Sequence, residues 1–283
     1  MTNWPQLSHA YGPAADLPAQ LERLASAPTP ESWNDLWSAL CHQSSVYPAS
    51  FAALPWLAGV AGGQDREQAG NALALAGAIM AGVDQPHGAG DVRAEHAADI
   101  AVLASLADAR LRTAEDPAEY AYLLEAVLSF EGVAGWRETL AQGLMNEEYE
   151  VTCPQCAAEL FLVLGEPGFF SCTGDYALSD DTTVVETRPL RPANPADLTG
   201  IGRRLHDLAR TDEQQTVARA LTHLFGQATC PACETSFSVE ARVNAGTTGF
   251  ASGRGSAAEP DHAPATAVGF RDHLGPAPEE LGE

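Results

Sequence analysis

Residues 151–164 read VTCPQCAAELFLVL, and residues 228–239 repeat the pattern as ATCPACETSFSV. Each stretch contains a Cys-Pro-x-Cys unit followed by apolar or β-branched residues, which predicts a strand leaving each unit. Two residues between the cysteines let both sulfurs of a unit reach one metal ion from a tight turn, and the proline helps to fix that turn. The two units are therefore predicted to be the halves of a single tetrahedral metal site.

The predicted ligands are four thiolates, a set that is typical of structural zinc because it leaves no coordination position open to water. We predict one zinc ion bound by Cys153, Cys156, Cys230 and Cys233. A redox or disulfide role is the main alternative, but a thioredoxin-type pair starts a helix, whereas each pair here precedes a strand. A catalytic metal is a weaker alternative. The sequence leaves open whether Cys172 or His223 takes part in the site.

The interval between the two units is long. It contains the 73 residues 157–229, far more than the roughly 15–20 residues that separate the ligand pairs of a simple ribbon. The segments AELFLVL, FFSCTG and TTVVETRPL predict strands, and apolar residues at helical spacing over 217–225 predict a helix that ends at Gly226. We therefore predict a small zinc-ribbon-like β module with a helical insertion over residues 148–243.

The first half of the chain has the pattern of successive amphipathic helices, separated by short turns such as SAPTP, GGQD and TAEDP. The apolar stripes run over residues 17–24, 33–40, 51–57, 69–82, 100–111, 120–128 and 136–144. Helices joined by short turns, with no strand pattern, predict an all-α domain over residues 1–147. Stacked helix pairs, as in an α-solenoid, are the favoured arrangement, and a compact bundle is the alternative. The predicted fold class of the whole chain is α+β.

The stretch SWNDLWSALCHQSSVYPASFAALPWLAGVA, residues 32–61, resembles a segment of bacterial HEAT-like repeat proteins. The residues at matching places of that motif are Trp33, Leu36, Leu40, Cys41, His42, Gln43, Tyr47, Ala49, Ser50, Pro55 and Leu57. The opening WPQLSHAYGPAADLPAQLERL also resembles the start of such proteins, whereas the metal module lies outside the resemblance. Some of these proteins are immunity or partner-binding factors, so the resemblance implies helical repeats and a binding role. It implies no catalytic residues.

Two features within this stretch have a structural interpretation. Cys41 and His42 are adjacent, and neighbouring helical side chains point about 100° apart, which disfavours a Cys/His nucleophile pair. We expect Cys41 to pack in the core and His42 to bond to the following turn. Pro55 lies inside a predicted helix and is expected to kink it.

The composition is strongly acidic. The chain has 283 residues, with 15 arginines, no lysine and 38 acidic residues, and its net charge is −23. The net charge is −13 over residues 1–149, −6 over residues 150–242 and −4 over residues 243–283. No part has the basic surplus that attracts nucleic acid or anionic lipid, so partners of both kinds are disfavoured. The absence of lysine excludes a P-loop and Schiff-base chemistry.

Two alternatives to a binding role depend on weaker signals. A nucleic-acid-binding zinc ribbon would use a local arginine cluster within the acidic module, namely Arg188, Arg191, Arg203 and Arg204. An enzyme of unknown reaction would need a pocket between the helical domain and the metal module. The chain has no HExxH motif, no GxSxG elbow and no Gly-rich nucleotide loop, which favours a protein that is not an enzyme.

The two ends of the chain complete the sequence-based expectations. From Asn244 the composition is rich in Gly, Ala and Pro, which predicts a flexible acidic tail over residues 244–283. The N-terminus has no signal-peptide pattern, and residues 69–83 are too few to span a bilayer, so we expect a cytoplasmic bacterial protein.

The leading hypothesis is a zinc-stabilised helical-repeat protein acting as a scaffold or immunity-type factor for a basic protein partner. The sequence predicts no oligomeric state.

Overall fold

The computed structural model describes residues 2–133, 135–136, 139–174, 176 and 185–250, with side chains described as far as residue 245. These residues form two compact units. The first contains residues 2–107 and 129–132, and the second contains 108–128 and the described residues from 133 onward. Helices accompanied by small antiparallel sheets make up both units, which agrees with the α+β class.

The first unit is built mainly from helices. They are α1 (Leu17–Ser26), α2 (Pro30–Leu40), α3 (Pro48–Ala52), α4 (Leu54–Ala61), α5 (Arg66–Ala81), α6 (Val92–Glu95) and most of α7 (Ala97–Leu111). Helix α1 packs against α2, and both α2 and α4 pack against α5. The apolar stripes face inward, because Leu36, Leu57 and Leu75 are at most 1% exposed. Burial of such side chains contributes about 1.5–3 kcal/mol each to folding.

Two short hairpins interrupt this helical unit. Strand β1 (Ser8–His9) pairs with β2 (Gly12–Pro13), and β3 (Cys41–His42) pairs with β4 (Ser45–Val46). The sequence predicted no strands here, because a strand of two residues is too short to show alternation. Cys41 ends α2 and is buried, as expected. His42 was expected to bond to the following turn, but its Nδ1 lies 3.4 Å from the hydroxyl of Tyr11.

The kink expected at Pro55 is absent, because the chain forms two helices instead of one. Helix α3 ends at Ala52, and α4 begins at Leu54 with Pro55 in its first turn. The N–H groups of a first helical turn have no partner within the helix, so the proline ring removes no hydrogen bond there. The prediction of a kinked helix was therefore wrong, and the proline starts a helix.

The second unit combines helices with two antiparallel β structures. Its helices are most of α8 (Pro117–Glu131), α9 (Leu140–Met145), α10 (Gly200–Thr211), α11 (Gln215–Leu224) and α12 (Val239–Phe250). Strands β5 (Glu148–Thr152), β6 (Glu159–Gly165), β7 (Gly168–Cys172) and β8 (Thr187–Pro189) form a sheet in chain order. Strands β9 (Gln227–Thr229) and β10 (Ser236–Ser238) form a separate hairpin. Leu160, Leu162 and Leu164 alternate along β6 and are at most 2% exposed, and α11 packs against this strand.

Buried polar contacts place α8 in this second unit. The Tyr120 hydroxyl donates to a carboxylate oxygen of Asp212 at 2.9 Å, and the Gln214 side-chain amide donates to the Ala114 carbonyl at 2.7 Å. Tyr120 is fully buried, and burial together with Asp212 raises the pKa of its hydroxyl well above the ordinary value. The division into units therefore begins near Asp108 and does not coincide with the domain boundary predicted after residue 147.

The C-terminal end of the described chain differs from the sequence-based expectation. A strand was predicted over TSFSVEARV, but only Ser236–Ser238 is extended, and α12 follows directly. The Ser238 hydroxyl accepts the N–H of Ala241 at 3.2 Å, an N-terminal cap that favours the start of a helix. Helix α12 continues past Asn244, where the tail was predicted to begin. Residues 251–283, the rest of that predicted tail, lie outside the described residues.

In the part of the chain that the structure describes, every helix is too short or too polar to cross a membrane.

Candidate metal centre

Each Cys-Pro-x-Cys unit closes an antiparallel hairpin. The first lies between β5 and β6, whose last pair is Thr152 and Glu159, and the second lies between β9 and β10, whose last pair is Thr229 and Ser236. Each hairpin thus holds its two cysteines at the end of a short ladder. The run after the first cysteine pair forms β6, as the sequence predicted, whereas only Ser236–Ser238 of the run after the second pair is extended, as β10.

The two turns have the same backbone hydrogen bonds. In the first, the Cys153 N–H donates to the Ala158 carbonyl at 2.8 Å and the Ala157 N–H donates to the Cys153 carbonyl at 3.1 Å. In the second, Cys230 and Thr235 make the first of these bonds at 2.9 Å, and Glu234 and Cys230 make the other at 2.9 Å. The sequence repeat is therefore a structural repeat at the level of the main chain.

Both turns also contain one residue in the left-handed conformation, directly after the second cysteine. Ala157 has φ = 58° and Glu234 has φ = 59°. This conformation costs a residue with a side chain roughly 1–2 kcal/mol, so the surrounding contacts must hold it in place. The turn also directs amides at sulfur, because the Gln155 N–H donates to Cys153 Sγ at 3.4 Å.

The four sulfurs lie together in space although 73 residues separate the two pairs along the chain. Cys153 Sγ is 3.7 Å from Cys233 Sγ, and Cys156 Sγ is 3.8 Å from Cys230 Sγ. All four sulfurs lie within 4.8 Å of one another. Sulfurs about 2.3 Å from a central ion in a regular tetrahedron would lie about 3.8 Å apart. The predicted ligands therefore form a group that can hold one metal ion.

Burial and hydrogen bonding shift the pKa values of the candidate ligands in opposite directions. Burial raises the pKa of the Cys230 thiol to about 12. Hydrogen bonds from the side chain and backbone of Thr235 lower the pKa of the Cys233 thiol to about 6. Hydrogen bonding therefore favours the thiolate form at Cys233, and burial favours the protonated thiol at Cys230. Because a metal ion binds the thiolate form, binding releases the Cys230 proton.

The ligand group lies partly at the surface. Cys153 and Cys230 are buried, Cys233 is partly buried and Cys156 is exposed. The first turn is exposed along its length, from Pro154 to Ala157. A metal ion here would be held from within by the buried sulfurs, whereas the exposed sulfur of Cys156 would remain accessible to chelators and oxidants.

The inserted segment anchors the second hairpin. Arg188 on β8 donates to both carboxylate oxygens of Glu234, the residue after Cys233, at 2.5–3.4 Å, and to Glu186 at 2.7 Å. The Ser171 hydroxyl on β7 donates to the Thr229 carbonyl at 2.6 Å. These side chains hold the second cysteine pair against the sheet that carries the first. Sequence reasoning missed this role, because single Arg, Ser and Glu residues have no characteristic spacing.

Neither of the two additional candidate ligands belongs to the sulfur group. Cys172 is fully buried on β7, and its thiol donates to the Gly174 carbonyl at 3.3 Å. His223 stacks on the ring of Phe169 with 3.9 Å between ring centroids, and its Nδ1 lies 3.0 Å from the Arg219 carbonyl. Burial lowers the pKa of the His223 imidazole. The sequence left open whether Cys172 or His223 takes part in the metal site, and the packing of both side chains places them outside the sulfur group.

The candidate arginine cluster is largely engaged with the protein itself. Arg188 pairs with Glu234 and Glu186, as described above. Arg191 donates to the Ser236 hydroxyl at 3.0 Å, and Arg203 donates to the Leu198 carbonyl at 2.9 Å. Guanidinium groups used in this way stabilise the module, and their positive charge is partly compensated by acidic neighbours.

Comparison with protein-family models, with curated proteins and with solved structures gave no match to this chain.

Proposed function

We propose that the four cysteines hold one structural zinc ion that joins the two hairpins into a zinc-ribbon-like module. The observation that supports this proposal most directly is the close grouping of four sulfurs from two matching turns. Soft thiolates in tetrahedral geometry favour zinc or iron, and zinc suits a closed four-thiolate site whose role is structural. A site with four protein ligands has no position for substrate or water.

The proposed zinc would act by closing a long loop. The described part of residues 157–229 carries strands β6–β9 and the helices α10 and α11 between the cysteine pairs. Joining the ends of this segment lowers the entropy of the unfolded chain, and the binding free energy of the ion adds to the stability of the second unit. Zinc would therefore stabilise the fold of this unit.

Elemental analysis of the purified protein tests the zinc proposal. We expect one zinc and no iron per chain. Cys156→Ser removes a ligand of the proposed site. Loss of a residue that only supports a ligand weakens metal binding about 10–100-fold, so this variant should weaken zinc binding by more than that. Cys172→Ala is the matched control, because it removes a thiol outside the group and should leave zinc stoichiometry unchanged. Metal-free wild-type protein, or equal effects of both variants, would contradict the proposal.

We further propose that the protein is a scaffold or immunity-type factor that binds a basic protein. The net charge of −23 and the absence of lysine support a cationic partner, because opposite charge accelerates encounter and restricts partner choice. The packing of α1 on α2 and of α4 on α5 fits a HEAT-like arrangement of helix pairs, which other proteins use as binding surfaces.

The binding proposal predicts a salt-dependent interaction. The native partner, isolated from the source organism by cross-linking and affinity purification, should be basic. Its association rate with the purified protein should fall steeply as ionic strength rises, because screening weakens the attraction between surface charges. An acidic or neutral partner whose association rate is independent of salt would contradict this assignment.

A further inference from the structure

Tyr11 occupies an unusual position for a large aromatic residue. Among the large apolar side chains in the described part of the chain, Tyr11 and Val102 are exposed, by 65% and 48% respectively. Tyr11 lies in the turn between β1 and β2. Exposed aromatic rings of this kind are enriched in binding surfaces, where tyrosine offers a large contact area at small entropic cost.

The ring of Tyr11 is held in place although it faces solvent. Its backbone N–H donates to His9 Nδ1 at 3.0 Å, and its hydroxyl lies 3.4 Å from His42 Nδ1. The ring meets both imidazoles edge to face, with centroids 6.0 and 5.6 Å apart. Because His9 Nδ1 accepts a hydrogen bond, its proton is on Nε2, which donates to Asp16 at 3.0 Å. Such preorganisation reduces the entropy lost on binding.

The adjacent hairpin turn is strained and exposed. Gln43 and Ser44 connect β3 to β4, and both have left-handed backbones, with φ of 48° and 62°. Neither is glycine, so each conformation costs about 1–2 kcal/mol. Both residues are exposed, and they follow His42 directly. Positive φ at both residues is what a two-residue type I′ hairpin turn requires, so the turn gives this exposed loop a fixed local shape.

The N-terminal segment that carries this hairpin is acidic. Residues 1–65 contain five acidic residues and one arginine. Asp16 remains ionised because hydrogen bonds from His9 and Gln20 outweigh the effect of desolvation, and its pKa lies below the ordinary value. Helix α2 ends immediately before Cys41, so the negative end of its dipole lies at the same hairpin.

We propose that Tyr11, His42 and the Gln43–Ser44 turn form a docking surface for an arginine side chain of a basic protein partner. This inference rests on the proposed binding function and assigns a place to it. A guanidinium stacks on an aromatic face, so it matches a fixed tyrosine on a strongly acidic chain. A second copy of this chain is disfavoured as occupant, because two chains of charge −23 repel each other.

Binding of a fluorescently labelled oligoarginine peptide, followed by anisotropy, tests this surface. Tyr11→Ala should weaken binding about two- to fivefold, the effect of one exposed cation–π contact. Tyr11→Phe keeps the ring and should bind as the wild type does. Val102→Ala is the matched control, because it removes the other exposed apolar side chain and should leave affinity unchanged. Circular dichroism and metal content should be the same in all variants. The affinity for an oligolysine peptide should depend less on Tyr11 than the affinity for oligoarginine does.

The outcomes separate this surface from the binding function as a whole. Unchanged affinity of Tyr11→Ala, or an equal loss in Val102→Ala, would overturn the docking surface while leaving a basic partner in place. Equal Tyr11 dependence of oligolysine would overturn the assignment to arginine. Failure of oligoarginine to bind the wild type would overturn the basic-partner proposal and this surface together. Self-association that Tyr11→Ala abolishes would assign the surface to a second copy.

Discussion

At the scale of single residues, the metal site depends on side chains that are not ligands. Thr235 donates to the thiolate of Cys233 and lowers its pKa, and Arg188 holds Glu234 in the left-handed turn beside it. Gly226, at the start of the second hairpin, has no room for a side chain, because a Cβ there would lie 2.2 Å from the Arg191 carbonyl oxygen. Such contacts determine how the cysteines are presented to a metal ion.

Replacement of Thr235 by valine should weaken metal binding in a pH-dependent manner. Without the side-chain hydrogen bond, the pKa of Cys233 rises from about 6 toward an ordinary thiol value, and protons compete with the metal at neutral pH. Affinity should therefore fall near pH 7 and approach that of the wild type above about pH 10, where the Cys233 thiol is ionised in both proteins. Chelator competition at the two pH values measures this effect. Thr229→Val, on the same hairpin, is the control, and a pH-independent loss in Thr235→Val would contradict the assigned role.

At the scale of elements, helix ends are fixed by specific caps. Helix α8 ends near Gly132, whose φ of 77° is readily adopted only by glycine. The guanidinium of Arg93, from α6, donates to the carbonyls of Ser129 and Phe130 at 3.2 and 3.1 Å. A cation at this position satisfies carbonyls that have no partner within the helix and interacts favourably with the helix dipole.

Arg93→Ala should reduce the free energy of unfolding by about 1–2 kcal/mol, because two charge-assisted hydrogen bonds in a partly buried setting are lost. Urea denaturation measures the change. Arg112→Ala is the matched control, since Arg112 lies just after α7 and pairs with Asp108 in an exposed ion pair, and its loss should cost about 0.5 kcal/mol or less. Equal losses in both variants would mean that the cap on α8 contributes nothing specific.

At the scale of the whole molecule, all four candidate ligands belong to the second of the two units. The first unit has its own apolar core, formed by helices α1–α5 among others. Metal binding should therefore stabilise one unit and leave the core of the other intact. This expectation separates a local structural role of the metal from a role in the stability of the entire chain.

Removal of the metal by a chelator should raise hydrogen exchange by about tenfold or more in Glu148–Thr152 and Gln227–Thr229, because the closed loop is released. Exchange in the helices between Leu17 and Ala81 should stay unchanged. Exchange measured by mass spectrometry, with and without chelator, shows both effects in one experiment. Faster exchange throughout the first unit would contradict an independent core.

Regular spacing made part of this structure predictable. Apolar stripes of helical period marked the helices that contain Leu21, Leu36 and Leu124, and the two Cys-Pro-x-Cys turns marked the ligand group. Short or irregular features were not predictable. The hairpin at Cys41 has strands of two residues, and α12 begins after a serine cap within a strand-like stretch. Local propensity is a weak signal that tertiary contacts override.

The sequence by itself determined which side chains have metal-binding chemistry, where most helices lie and how acidic the surface is, because these properties follow from composition and short-range spacing. Only the tertiary structure decided that four cysteines meet, that Cys172 and His223 stay outside their group, and that Tyr11 is held in place while facing solvent. Each of these depends on contacts between residues distant along the chain, whose formation depends on the packing of the whole unit.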